Sequence, residues 1–288
     1  LNTSSEEDTT DVLSNPYATP ANGYGSLIVC GASGDHQLVV WRLNGTDGAK
    51  QELMLKTKAE SNRIECVALR PGATEIAYSA TCLKILRFNS NGQWEFDRDF
   101  PYNLDGVSSL AYSNSGKLYV GFWNGVHSLS VLLLARRTND ADNEDDSKFI
   151  YKPYNVGFPV LKISVSSNGK YVAVGGFENI LVLNGDLTER VCRVPSFGKS
   201  PFSTFAFQPF KNRIFIATGG DKIYCYNVLK QQHLPKIKLK FNGEGAAVNA
   251  ISFNPDAPHQ ILLSSSKKAI VKNLKKNELN AYRLPYTD

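Results

Sequence analysis

A repeated pattern of apolar and polar positions runs through most of the chain. Each copy has an alternating segment, a turn rich in Pro, Asn and Gly, a mostly apolar segment, and a short turn into a third segment. Alternation with a period of two indicates β-strands, and helical periodicity is nearly absent. Five copies begin at Arg63, Val107, Val160, Phe202 and Ala247, and a partial sixth begins at Gly25.

The spacing of the copies predicts a β-propeller. Successive middle segments start 42 to 54 residues apart, and a four-stranded propeller blade takes roughly 40–45 residues. These segments are apolar on both faces, as expected for strands buried between stacked blades. We therefore predict an all-β, WD-repeat-like β-propeller over residues 23–288. Its middle strands are expected near residues 74–79, 116–122, 170–175, 212–218 and 260–265.

Six blades are recognisable, and a seventh would come from the N-terminal stretch or from chain outside this sequence. Residues 1–22 follow no repeat and are predicted to be a flexible N-terminal segment. Residues 139–148 carry five acidic side chains and no apolar residue beyond Ala141. A segment of this composition buries too little surface to order itself, so we predict a flexible acidic loop within the propeller.

The turn Gly219-Gly220-Asp221 tests whether the repeats carry chemistry. Gly, Asn and Asp also occupy the matching turn in other copies, for example Gly34-Asp35 and Asn124-Gly125. These residue types suit tight hairpins because they tolerate positive φ. A catalytic residue is not expected to recur as a turn in every repeat. We therefore interpret Asp221 as a turn residue.

Other motifs for catalysis or ligand binding fail on spacing. The tripeptide at residues 198–200 (GKS) lacks the upstream Gly of a phosphate-binding loop, and Pro201 follows where a helix should begin. No apolar run approaches the roughly 20 residues that span a bilayer. The sequence predicts no enzyme, cofactor, metal site, small-molecule substrate or membrane contact. The four histidines are far apart and lack partners at metal-ligand spacing: His36, His127, His233 and His259.

Positive charge is concentrated in the C-terminal third. Residues 199–288 hold 14 Lys and Arg against 5 Asp and Glu, a net charge of +9, whereas residues 1–198 hold 18 against 22. This asymmetry points to an anionic partner. Alternate residues of a strand share a face, so Lys236, Lys238 and Lys240 form a line that fits a phosphate backbone.

The basic surface proposed to contact RNA or another partner contains eight lysines: Lys236, Lys238, Lys240, Lys267, Lys268, Lys272, Lys275 and Lys276. An alternative stays open, in which these lysines only keep an outermost strand soluble.

The repeats resemble the WD-repeat family in a degenerate form. In the segment "LVVWRL", Trp41 stands where the family has its Trp, but Arg42 replaces the family's Asp. No Gly-His pair precedes any copy. In four other copies an Asn stands near the same place: Asn89, Asn184, Asn227 and Asn273.

Roughly residues 150–275 resemble the C-terminal propeller of the cirhin family, which are WD-repeat subunits of the nucleolar small-subunit processome in its UtpA subcomplex. The likeness lies in Phe158-Pro159 and in the segments "ISVSSNGKYVAV", "IYCYNV" and "ISFNPDAPHQILL". This resemblance implies a non-catalytic scaffold that assembles the processome on nascent pre-ribosomal RNA, in the nucleus and nucleolus. The implied partners are other WD-repeat subunits of the processome and pre-ribosomal RNA, the RNA through the basic C-terminal third. The alternative is a propeller adaptor in another complex, such as a vesicle coat or chromatin assembly, without RNA contact.

Overall fold

The repeated apolar segments form antiparallel β-strands, and no helix occurs among the residues that the structure describes. The predicted flexible segment 1–22, the acidic loop 139–148 and the turn at 219–221 lie outside those residues. The structure is a computed structural model that describes residues 27–32, 36–44, 50–60, 62–72, 74–97, 103–124, 129–136, 149–195, 201–218, 222–238, 248–254, 257–265, 268–275 and 279–283.

The described strands form six antiparallel sheets, numbered here in chain order. Sheet 1 contains β1 (Leu27–Ala32), β2 (Leu38–Asn44) and β3 (Lys50–Lys56). Sheet 2 contains β4 (Cys66–Leu69), β5 (Glu75–Ser79), β6 (Leu83–Phe88) and β7 (Trp94–Phe96). Sheet 3 contains β8 (Val107–Tyr112), β9 (Leu118–Phe122), β10 (Ser130–Arg136) and β11 (Phe149–Asn155).

The remaining three sheets repeat the same four-stranded order. Sheet 4 contains β12 (Lys162–Val165), β13 (Tyr171–Gly175), β14 (Ile180–Asn184) and β15 (Arg190–Val194). Sheet 5 contains β16 (Phe202–Phe207), β17 (Arg213–Thr218), β18 (Lys222–Asn227) and β19 (Gln232–Lys238). Sheet 6 contains β20 (Ala250–Phe253), β21 (Gln260–Ser264), β22 (Lys268–Asn273) and β23 (Leu279–Arg283).

The five four-stranded sheets are blades of a β-propeller. In each, the strands pair in chain order, and the first strand lies at one edge. These first strands are neighbours in the sequence β4, β8, β12, β16 and β20, so they line the axis of the propeller. The five predicted middle segments are the second strands β5, β9, β13, β17 and β21, which confirms the all-β prediction and their positions.

Hydrophobic side chains fill the spaces between consecutive sheets. Between sheets 4 and 5, Ile180 and Val182 of β14 share a cluster with Phe205 of β16 and Ile216 of β17. Side chains on the other face of β17, such as Phe215, belong to the next cluster, shared with sheet 6. Burial on both faces explains why the middle strands are apolar without alternation. Each fully buried aliphatic side chain stabilises the fold by about 1.5–3 kcal/mol.

The turns define two opposite faces of the propeller. We call the face with the turns between first and second strands the lower face. Neighbouring turns bond to each other there: Asn114 donates to the Ser167 carbonyl (2.7 Å), and Gln208 donates to the Pro258 carbonyl (2.8 Å). Antiparallel strands place the third-to-fourth-strand turns at the same end. The second-to-third-strand turns therefore lie on the opposite, upper face.

Candidate nucleic-acid interface

Of the predicted lysines whose exposure the structure describes, two are exposed and lie on different sheets. Lys236 is exposed on β19, the outermost strand of sheet 5, and Lys275 is exposed in the turn after β22 on the lower face. Lys272 on β22 is only 8% exposed, which removes it from the accessible surface. β19 ends at Lys238 and β22 begins at Lys268. Lys240, Lys267 and Lys276 lie outside the described residues.

A β-bulge sets the position of Lys236. Ile237 pairs with Ile223 and Leu234 pairs with Cys225, so two residues of β19 stand opposite the single residue Tyr224. Because of this extra residue, Leu234 and Ile237 both pack on the core although they are three positions apart. Lys236 is left on the exposed side of the strand.

Sheet 5 carries a larger excess of positive charge than its neighbour, sheet 4. Residues 202–238 contain six Lys and Arg and a single acid, Asp221, whereas residues 162–194 of sheet 4 contain four and three. The backbones of Lys222 and Lys238 are register partners on β18 and β19.

Three cations of sheet 5 converge around one shallow cavity on the lower face. The cavity has a volume of about 220 Å³ and is lined by residues 210–213, Asn227, Leu229 and Lys230. The β16–β17 turn contributes Lys211 and Arg213, and the β18–β19 turn contributes Lys230. Within the described part of the chain, none of these three cations forms an ion pair. Their charge is therefore available to a partner.

Two exposed apolar side chains stand among these cations. Phe210 is 74% exposed and Leu229 is 58% exposed, and both line the cavity. Cations around an exposed ring are the elements of single-stranded nucleic-acid sites, where phosphates meet cations and bases stack on aromatics. We call Phe210, Lys211, Arg213, Leu229 and Lys230 the Phe210 patch.

Backbone hydrogen bonds fix both turns of the Phe210 patch. The Phe210 N–H donates to Ser167 Oγ of sheet 4 (2.9 Å), which ties the first turn to the neighbouring sheet. The Lys230 N–H donates to Asn227 Oδ1 (3.0 Å), and the Val228 N–H donates to the Asn212 carbonyl (2.9 Å). The bond between Val228 and Asn212 joins the two turns directly. The patch is thus built on anchored backbone.

The Phe210 patch was not predicted, although the sequence contains weak signals of it. The segment "QPFKNR" places a Phe in a turn where other copies have Gly, Asn, Asp or Ser. The turn "NVLKQQ" likewise contains an apolar Leu229. Apolar side chains in turns of a folded protein are a hint of a contact surface. Their convergence depends on the two turns lying at the same end of the sheet.

A second exposed aromatic group lies on the upper face. Trp123, after β9, and Phe177, after β13, pack edge to face with ring centroids 5.3 Å apart. Trp123 is 41% exposed and Phe177 is 56% exposed. Exposed aromatic pairs are enriched at protein–protein contacts. This pair joins corresponding turns of sheets 3 and 4.

Three of the described cysteines lack the properties of nucleophiles. Cys66, Cys192 and Cys225 are buried. Burial raises the pKa of the Cys66 thiol, and it raises the pKa of Cys192 and of Cys225 to about 11. Reactive thiols have lowered pKa values, so these three side chains serve packing.

No three His, Cys, Asp or Glu side chains of the described residues come together as a metal site would require. None of these residues belongs to a helix able to cross a membrane.

In comparisons with known proteins, no family model and no curated protein sequence matches this chain.

Proposed function

We propose that this chain is a non-catalytic scaffold propeller that binds RNA on its lower face and protein partners on its upper face. The observation that carries the RNA contact is the convergence of Lys211, Arg213 and Lys230 around one cavity, without ion pairs in the described part of the chain. The sheet that presents them has six cations against one acid. Phosphate contacts supply most of the affinity of such surfaces.

We propose further that the chain is a WD-repeat propeller of the cirhin family with six blades, sheet 1 being the sixth. It would then act in ribosome biogenesis in the nucleolus, helping to assemble the small-subunit processome on pre-ribosomal RNA. The support is the resemblance of Phe158-Pro159 and of the segments "IYCYNV" and "ISFNPDAPHQILL" to that family. The Phe210 patch supports an RNA partner independently of the resemblance.

A second candidate function is a propeller adaptor in another complex, such as a vesicle coat or a chromatin assembly, without RNA contact. The pair Trp123 and Phe177 favours it, because an exposed aromatic pair suits a protein partner. Localisation of the full-length protein separates the two candidates. Residence in the nucleolus supports the processome scaffold, and a membrane-rim or cytosolic pattern supports the adaptor.

The RNA contact is tested by matched charge reversals on the lower face. Lys211→Glu combined with Lys230→Glu alters the Phe210 patch, and Lys170→Glu combined with Arg190→Glu makes the same charge change on sheet 4. All four side chains are exposed. The first variant should bind RNA more weakly and show a salt dependence flatter by about 0.7 per lost phosphate contact in the log–log plot.

The sheet 4 variant measures the effect of net charge alone and should stay closer to the unmodified chain in affinity and slope. Fluorescence anisotropy with labelled RNA at several salt concentrations gives both quantities. Equal losses in the two variants would show that RNA senses only the overall charge, and the lower-face site would be abandoned.

A further inference from the structure

We infer that Phe210 is a stacking platform for an unpaired base, so that the Phe210 patch prefers single-stranded RNA over duplex RNA. This inference rests on the RNA contact proposed above. It starts from the backbone of the β16–β17 turn. The Lys211 N–H donates to the Gln208 carbonyl (3.2 Å), which closes a β-turn with Pro209 second and Phe210 third.

Phe210 has a backbone conformation that its residue type disfavours. Its φ is 57°, in the left-handed region. A turn with Pro second and positive φ third normally has Gly or Asn at the third position. The matching turn of sheet 2, Arg70-Pro71-Gly72, has Gly there, with φ 87°. For a bulky side chain, this conformation is a strained outlier.

Packing does not compensate for this strain. Leu187 also has positive φ (51°), but its side chain is 4% exposed and packs in the core between sheets 3 and 4. The Phe210 side chain is 74% exposed and contributes little burial. Leu129 (φ 68°) and Gln231 (φ 49°) are also exposed, so what distinguishes Phe210 is an exposed ring in this conformation beside three cations.

The neighbours of Phe210 indicate which ligand its ring serves. Lys211, Arg213 and Lys230 offer three positive charges around the same cavity. In a duplex the base faces are stacked on one another, so a duplex offers the patch its phosphates and sugars only. An unpaired base offers a free face to the ring as well. An acidic peptide would use the cations and leave the ring without a partner.

The test uses a single-stranded RNA of about 12 nucleotides, a length within known site sizes, and a duplex RNA of similar phosphate count. Phe210→Leu keeps an apolar side chain of similar size without the ring, and Phe210→Tyr keeps the ring. Phe210→Leu should weaken single-strand binding roughly 5- to 100-fold, the range for loss of one stacked base. Phe210→Tyr should retain the single-strand affinity. Duplex binding should be the same in both variants.

The possible failures are distinguishable. If Phe210→Leu binds the single strand like the unmodified chain, the stacking inference is wrong, and the charge-based contact survives. If the unmodified chain binds neither RNA, the RNA contact is wrong, and the stacking role is lost with it. If a polyglutamate peptide of equal charge displaces the single strand as well as unlabelled RNA does, the ring adds nothing and the inference is overturned. Thermal melts confirm that each variant stays folded.

Discussion

Sheets 4 and 5 lie side by side with the same four-stranded order, and they bury the same kind of core. Ile180 of sheet 4 and Ile216 of sheet 5 are both 0% exposed and belong to one hydrophobic cluster. Their surfaces differ. Sheet 4 has nearly balanced charge, with four cations and three acids over residues 162–194, whereas residues 202–238 of sheet 5 have six and one.

The contacts of the two sheets on the lower face differ in the same way. Sheet 4 is joined to sheet 3 by an ion pair, with Lys117 Nζ 2.6 Å from Asp186 Oδ1. Sheet 5 is joined to sheet 4 by an uncharged hydrogen bond from the Phe210 N–H to Ser167 Oγ. An acid of sheet 4 thus pairs with a cation of sheet 3, whereas among the described residues the cations of the Phe210 patch form no ion pair.

The fold constrains the core side chains of the two sheets but not the charge of their exposed turns. Packing between blades fixes the inward side chains of both sheets, because cavities and overpacking are costly. It places no such constraint on the charge of exposed turns. An excess of one sign weakens a compact fold slightly. The excess of positive charge on sheet 5 is therefore a feature that the core does not require, and the proposed RNA contact would account for it.

The largest effect should come from the shared core. Ile180→Ala and Ile216→Ala should each lower the free energy of unfolding by about 2–5 kcal/mol, since each leaves a cavity in the same cluster. Urea denaturation monitored by tryptophan fluorescence measures both losses.

Leu53→Ala is the control for this pair, because Leu53 is 56% exposed on β3 and its truncation should change stability by about 0.5 kcal/mol or less. A large loss for one isoleucine and almost none for the other would mean that the two sheets do not share an equivalent core.

Removing either lower-face contact should have a smaller effect on the free energy of unfolding, and the two losses should differ in their dependence on pH. Ser167→Ala removes the acceptor of the Phe210 N–H, which should cost about 0.5–1.5 kcal/mol, equally at pH 7 and pH 3 because both groups are uncharged. Asp186→Asn removes the ion pair with Lys117. Since the Asp186 side chain is 62% exposed, its loss should be about 0.5 kcal/mol or less at pH 7.

The pH dependence of the Asp186 contact follows from its pKa. The hydrogen bond from Lys117, together with its charge, lowers the pKa of Asp186 below its ordinary value of 3.8. A lowered pKa in the folded state stabilises the fold above the unfolded pKa and ceases to do so as pH falls through the folded pKa. The difference between Asp186→Asn and the unmodified chain should therefore shrink as pH falls below 3.8 and vanish once pH is below the folded-state pKa. A constant difference across this range would contradict the ion pair.

The strands were predictable because the physical signal is local. A segment such as Arg213–Thr218 is apolar at successive positions and bounded by turn residues, and burial between two blades requires that pattern. The turns at 166–170 and 113–117 were marked by Asn, Ser and Gly. Pairing between segments that are distant in the sequence was not predictable, because it leaves no local pattern.

The site was less predictable because it depends on register and on distant turns. Lys272 was expected at the surface, but it shares a face of β22 with Ile270, and that face is buried. Positive φ at Phe210 has no signature in the residue type. The meeting of Phe210 with Lys230 depends on both turns being at one end of sheet 5. Charge imbalance indicated the C-terminal third, and spatial convergence within it identified the Phe210 patch.

Ultraviolet crosslinking of the chain to single-stranded RNA, with mass spectrometry to locate the modified peptide, tests the central claim most directly. If the lower face of sheet 5 binds RNA, crosslinked nucleotide should map to the β16–β17 turn at Phe210, and Lys211→Glu combined with Lys230→Glu should remove most of it. The Lys170→Glu and Arg190→Glu variant should crosslink at the same peptide. Crosslinks confined to the upper face around Trp123 and Phe177, or unaffected by the sheet 5 reversals, would contradict the account.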